Sequence, residues 1–237
     1  MAIRQIVLDT ETTGLNARLG DRVIEIGCVE VVNRRVTERH FHVYVNPERD
    51  IEDGAAKVHG LTREFLSDKQ RFAEIAKDFL KYIGGAELVI HNAAFDVEFL
   101  DAELGLAGLD NLAAHTSGVV DTLAIARELH PGKRNSLDAL CERYGVDNSK
   151  RTLHGALLDA RLLAEAYLAM TRGQESLIVE EDDGPRDADG APAQLDTLGL
   201  VVLQATPEEL AVHEKLLDGI EKEAKDGTIW RKLAAGK

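Results

Sequence analysis

Cysteine, proline and tryptophan are scarce in this 237-residue chain, with two, five and one respectively, and there is no apolar run of bilayer-spanning length. Cys28 and Cys141 lie far apart, without CxxC spacing, inside the apolar patterns VIEIGCVEVV and SLDALCERYG. That placement excludes a paired-cysteine motif, and both read as small buried residues of a reducing compartment. The N-terminal MAIRQIVLDT lacks the charged, apolar and small-residue zones of a signal peptide. A cytoplasmic location with no membrane partner is therefore expected. Positive charge is also short: 28 Lys and Arg stand against 42 Asp and Glu, a net charge of −14. Broad electrostatic adhesion to nucleic acid is excluded, because such affinity comes from neutralising phosphates. Residues 1–173 carry 21 bases and 27 acids, whereas residues 174–237 carry 7 and 15, so the acidity is concentrated in the tail. The basic pairs Lys133–Arg134 and Lys150–Arg151 could grip a short nucleic-acid end locally, and could equally be solvated helix flanks.

What is present suits one well-buried domain with an appendage, at 44% hydrophobic residues. Three alternating stretches, IRQIVLDT, RVIEIGCVEVV and VTERHFHVYVNP, predict an antiparallel meander closed by Pro47. RFAEIAKDFLKYIGG has apolar residues at Phe72, Ile75, Ala76, Phe79, Leu80 and Ile83, the spacing of an amphipathic helix stopped by Gly84 and Gly85. ELVIHN then predicts a strand, with Asn92 as N-cap of a helix over AAFDVEFLDAEL. GVVDT predicts a further short strand, followed by helices through DTLAIARELH, NSLDALCERYG and GALLDARLLAEAYLAM. The order predicts an α/β fold with a mixed sheet of five strands flanked by helices.

Three places in this frame carry candidate chemistry. In IVLDTETTGL, Asp9 and Glu11 alternate along a strand and share a face a few ångströms apart. Such carboxylates repel unless something holds them, and hard oxygen ligands suit Mg²⁺ or Mn²⁺; a solvated strand end running into a turn accommodates the same residues. Asp96 falls in the first turn of a helix that follows a strand, near the carboxyl edge of the sheet, where an acid also simply favours the helix dipole. In TLHGALLDARLL, His154 precedes Asp159 by five residues. Within one helix these side chains would diverge by about 140°. His154 is accordingly expected on the entering loop and Asp159 on the helix, with Gly155 as the joint.

In chain order, D-x-E at Asp9 and Glu11, HNAAFD ending at Asp96, and H-x4-D at His154 and Asp159 resemble the three motifs of the DEDD exonucleases, in their histidine-containing branch. The likeness extends through RQIVLDTETTGL, EIGCVEVVNRR, FHVYVNP, VHGLT, LVIHNAAFD and PGKRNSLDALCERYGVDNSKRTLHGALLDA. These stretches resemble the proofreading exonuclease subunits of bacterial replicative DNA polymerases, densely over residues 3 to 170 and again at VVLQATPEELAVHE. The resemblance implies a ribonuclease-H-like fold and 3′→5′ hydrolysis of DNA 3′ ends. It further implies that Asp9, Glu11, Asp96 and Asp159 hold two divalent cations and that His154 is the general base. Thr10, Thr12, Thr13, Gly14 and Leu15 resemble the part of the family that cradles the terminal nucleotide, and His59 and Phe95 resemble substrate contacts. Without the family, His59 reads as a loop residue and Phe95 as core. One departure stands out: the family often has Pro and Glu shortly before the VHG turn, where this chain has Asp53 and Gly54. A sister enzyme trimming RNA or short oligonucleotides, and a non-catalytic bridge between polymerase and clamp, are the rival readings.

The exonuclease domain is expected over residues 1–173. QESLIV, Gln174 to Val179 with Leu177 inside it, resembles the short peptides that dock replication proteins into the sliding clamp. Residues 180–197 hold seven acids and one base among Gly, Pro and Ala and read as a flexible linker. Residues 198–237 resemble a polymerase-binding segment, with Trp230 as anchor. Within it, Thr206, Pro207 and Glu209 form a capping-box signature and Gly227 is a plausible helix stop.

Overall fold

The computed structural model describes residues 3–149, 151–172 and 205–223. The chain divides into two units, residues 1–178 and 179–237. In the first, strands β1 (Arg4–Thr12), β2 (Val23–Val32) and β3 (Arg35–Tyr44) form the expected meander, turned by Asn33 and Arg34 in left-handed conformation. Helices α1 (Asp53–His59), α2 (Arg63–Leu66) and α3 (Phe72–Ile83) lead to β4 (Glu87–Ile90). Then come α4 (Ala93–Leu106), β5 (Gly118–Asp121), α5 (Thr122–Leu129), α6 (Leu137–Tyr144) and α7 (Ala156–Met170). The sheet order is β3-β2-β1-β4-β5. β1 pairs antiparallel with β2 and parallel with β4, so the sheet is mixed and the carboxyl ends of β1, β4 and β5 share one edge.

Strand alternation sorts the core into two layers. Ile6, Leu8, Ile26, Leu88 and Ile90 face one side, against Phe72, Phe79, Phe99 and Leu100 of α3 and α4. Val7, Val31 and Val89 face the other, against α6 and α7 through Leu140, Leu163 and Tyr167. Each such side chain contributes about 1.5–3 kcal/mol when fully buried. Helix α4 is also pinned electrostatically. Glu103, 2% exposed, accepts Nε and Nη2 of Arg22 at 2.7 Å each and the backbone N–H of Val23 at 3.1 Å. Helix α7 approaches β2 so closely that a Cβ on Gly27 would lie 2.2 Å from the backbone of Ala156 and Leu157. Glycine is required there by that approach.

Three expectations are revised. Helices α1 and α2 escape the periodic reading because seven and four residues are too few to develop a 3.6-residue repeat. His59 is the last residue of α1, not a loop residue, and is buried. Asn92 occupies the N-cap position of α4 in left-handed conformation, φ 65°, and its side chain caps nothing; its backbone N–H donates to Asp121 Oδ1. In the second unit, α8 (Pro207–Glu223) begins with the reciprocal cap: Thr206 N–H donates to Glu209 Oε2 at 2.8 Å and Glu209 N–H to Thr206 Oγ1 at 3.2 Å. Gln174, Leu177, Gly227, Trp230 and the acidic segment 180–197 lie outside the described residues. Among the described residues no helix is long and apolar enough to cross a membrane.

Candidate active site

The pairing of β1 with β2 sets Asp9 opposite Gly27 and Glu11 opposite Glu25, which puts both acids on the α7 face of the sheet. Gly27 lets α7 come down onto that face, and Asp159, in its first turn, arrives 2% exposed. His154 lies just before the helix, on a loop held by its own N–H donating to Val58 O at 3.1 Å. Gly155 is the N-cap, in extended conformation, so the joint falls where the sequence places it. From the opposite layer, Asp96 in the first turn of α4 accepts both the N–H of Thr10 at 3.1 Å and its Oγ1–H at 2.7 Å. The intervening residue of D-x-E thus ties β1 to the third acid.

The electrostatics reflect this convergence. Burial raises the Asp9 pKa well above the carboxylate range, and the charges of Asp96, Glu11 and Asp159 raise it further. Burial, followed by the charges of Asp159 and Glu25, pushes Glu11 up to about 8. Burial pushes Asp96 up to about 7 against the lowering effect of the Thr10 hydrogen bonds. One donor atom each from Glu11, His154 and Asp159 lie within 4.8 Å of one another. Carboxylates raised chiefly by burial, with neighbouring acids adding to it at Asp9 and Glu11 and an imidazole beside them, are a donor set that hard divalent cations would relieve. Glu11, His154 and Asp159 fit a divalent-cation site; Asp9 and Asp96 stand outside that group.

Asp9, His154 and Asp159 open onto a cavity of about 700 Å³, whose other wall carries His91, Arg127, Lys133 and Asn135. The remaining expected contacts lie outside the lining of that cavity. Thr10, Thr12 and Thr13 are buried; Thr12 Oγ1 donates to Gly14 O at 2.6 Å, and Leu15 stands 81% exposed beyond them. Phe95 is partly buried and packs on Phe99 at 4.8 Å between ring centroids. Burial lowers the His59 pKa, and its Nδ1 accepts the N–H of Leu61 at 3.0 Å, leaving Nε2 buried with no hydrogen-bond partner. Gly54, the departure on α1, faces open space.

Two residues of the site were missed from the sequence. Arg151, half of a basic pair read as a nucleic-acid grip or a solvated flank, is neither: its side chain is 7% exposed and donates to both oxygens of Asp159, from Nε at 2.6 Å and Nη2 at 2.7 Å. Its Nη1 donates to Asp138 at 2.8 Å. Burial, followed by the Arg151 charge, lowers the His154 pKa below its usual value. The available signal was an arginine three residues before the histidine. Glu25, 3% exposed and bonded to His42 Nε2 at 2.7 Å, is the other; its strand alternation with Gly27 was legible, its register against Glu11 was not.

Comparison with known proteins agrees with this geometry. The family model described as Exonuclease matches residues 6–167. Among solved structures, Exonuclease X in complex with 5′ overhanging duplex DNA superposes with a TM-score of 0.56 at 26% identity, over 73% of this chain and 92% of that one. An Escherichia coli Exonuclease I bound to a dA16 oligonucleotide shares the fold, with a TM-score of 0.64 at 19% identity over 73% of this chain and 41% of that one. DNA polymerase III subunit epsilon of Escherichia coli K12 is 52% identical over 239 residues, covering 96% of this chain and 97% of the relative. The Haemophilus influenzae protein of the same name is 48% identical over 244 residues, covering 97% and 95%. The chain belongs to the exonuclease family and, within it, to the family of DNA polymerase III epsilon subunits.

Proposed function

We propose that this chain is the 3′→5′ proofreading exonuclease of a replicative DNA polymerase, with Asp9, Glu11, Asp96 and Asp159 as ligands of two divalent cations and His154 as general base. The observation that carries the proposal is geometric: donor atoms of Glu11, His154 and Asp159 lie within 4.8 Å of one another, Asp9 shares the strand face of Glu11, and Asp96 is bonded to Thr10 between them. Bound Mg²⁺ or Mn²⁺ supplies Lewis-acid activation of the nucleophile and stabilises charge on the departing 3′ oxygen. The His154 ring stands beside the acids, with Nδ1 3.6 Å from Asp159 Oδ2, and would accept the proton of the attacking water. A new P–O bond forms to that water's oxygen, the P–O3′ bond breaks, the 3′ oxygen takes a proton from solvent, and a deoxynucleoside 5′-monophosphate leaves. Thr10, Thr12, Thr13, Gly14, Leu15, His59 and Phe95 line the place of the terminal nucleotide. Because the site takes a single-stranded end, a mismatched terminus, which costs less to unpair, is the preferred substrate.

The polymerase catalytic subunit is the proposed partner of residues 198–237, and the sliding clamp that of 174–179, in a cytoplasmic setting. The test is release of nucleotide from a 3′-labelled single-stranded oligodeoxynucleotide by the full chain and by Asp9→Ala/Glu11→Ala. The double variant is expected to lose at least about 1,000-fold in rate while still co-purifying with the polymerase subunit; a residual rate within tenfold of the parent would refute the assignment. A ribo-terminated oligonucleotide cleaved faster than the deoxy one would move the substrate to RNA.

A further inference from the structure

Asp159 already has a cationic partner in the protein itself. The Arg151 guanidinium closes a bidentate fork on its two oxygens, at 2.6 and 2.7 Å. The same Nη2 lies 3.1 and 3.3 Å from the two ring nitrogens of His154. The third nitrogen, Nη1, is tied to Asp138 at 2.8 Å, on a carboxylate 56% exposed, whereas the Arg151 side chain is 7% exposed. An arginine this buried is not a surface ion pair screened by solvent. It stands within the group of donors formed by Glu11, His154 and Asp159 and lowers the pKa of Asp9 and Glu11.

We infer that Arg151 is a built-in stand-in cation: it and a divalent ion are alternative occupants of Asp159, and the arginine must release the carboxylate as the ion enters. The reasoning is electrostatic and geometric. While the fork is closed, both Asp159 oxygens are engaged by N–H groups, and a divalent ion on the same carboxylate would sit against a fixed positive charge in a buried site, where repulsion is weakly screened. Asp138 offers the guanidinium a second, solvent-facing anchor reached through Nη1, so it can leave Asp159 without losing every partner. With the fork closed, the acid cluster and the His154 loop are held together without metal. Among the described residues, the Arg151 N–H to Asn148 O at 2.9 Å and the His154 N–H to Val58 O at 3.1 Å are the loop's backbone ties, and Leu153 lies beside Gly60 at the end of α1. Arg151 is thus a positioning residue that trades metal affinity for order in the metal-free protein.

The inference rests on Asp159 being a metal ligand, and the experiment separates the two. Mn²⁺ binding to the EDTA-stripped full chain is followed by electron paramagnetic resonance for the parent, Arg151→Gln and Asp159→Asn, with thermal melting of each in EDTA. Arg151→Gln is expected to bind Mn²⁺ about tenfold more tightly and to melt lower in EDTA; Asp159→Asn is expected to lose Mn²⁺ affinity. If Asp159→Asn binds Mn²⁺ like the parent, the ligand assignment fails. If Asp159→Asn weakens binding but Arg151→Gln does not tighten it, the stand-in role alone is overturned. A parent-protein readout removes dependence on variant folding: the Arg151 Nε–H resonance should be shifted and slow to exchange in EDTA and revert toward the solvent-exposed position on adding Mg²⁺. A resonance unmoved at saturating Mg²⁺ would also overturn the exchange.

Discussion

Glu11 is an acid held where acids are disfavoured, with a pKa of about 8 against an ordinary 4.5, and Asp96 sits at about 7 against 3.8. For a carboxylate raised on folding, the native state keeps a proton that the unfolded chain has released, so stability falls as pH rises from the unfolded pKa to the folded one. Full-chain protein in EDTA should therefore lose about 5 °C or more in Tm between pH 5 and pH 8, and Mg²⁺ should restore more at pH 8 than at pH 5. Glu11→Gln removes one such charge and should raise the Tm in EDTA at pH 8 while weakening the response to Mg²⁺. A Tm that climbs across this window would mean that the acids do not share a site. His154 shifts the other way, below its usual value, because burial and Arg151 disfavour its protonated form. The rate should rise with pH through that lowered pKa and level off above it. His154→Ala should turn over about 100- to 10,000-fold more slowly with Mn²⁺ binding largely kept.

The elements place these residues by close approach more than by any single bond. α7 reaches β2 because Gly27 has no side chain, and the acid in its first turn then stands opposite β1. Gly27→Ala, with its Cβ 2.2 Å from helix backbone, must push the helix outward. Overpacking of this kind costs about 3 kcal/mol or more when backbone has to move, so the variant should melt several degrees lower. Because the displaced helix carries Asp159 and follows His154, nuclease activity should fall further than stability at a temperature where the variant remains folded. Circular dichroism beside a single-stranded DNA assay distinguishes this from simple unfolding. A variant with parent-like melting and rate would show that α7 does not depend on that contact.

Across the whole molecule, the division into units at residue 178 separates a body of 178 residues from a tail of 59 that carries half of the net negative charge. The first unit contains all five candidate catalytic and metal-binding positions and both core layers. Residues 1–178 alone should digest single-stranded DNA at a rate within about threefold of the full chain and should not co-purify with the polymerase subunit. Loss of nuclease activity from the folded truncation would place part of the site in the tail. The body's own net charge of −7 predicts modest intrinsic affinity for DNA, with a shallow salt dependence, since few phosphates are neutralised.

Strand alternation and helix periodicity were enough to read the five-stranded mixed sheet and the long helices, because those signals are local and recur along the chain; Asp9, Glu11, Asp96, His154 and Asp159 were singled out by their resemblance to the three family motifs. The short helices α1 and α2 were not legible, having too few residues to show a period. Nor were the fork of Arg151 on Asp159, the Thr10 bonds to Asp96, or the contact that makes Gly27 obligatory. Each joins residues through space, across a loop, between sheet and helix or between the two layers, and distance in space is set by packing rather than by spacing along the polypeptide.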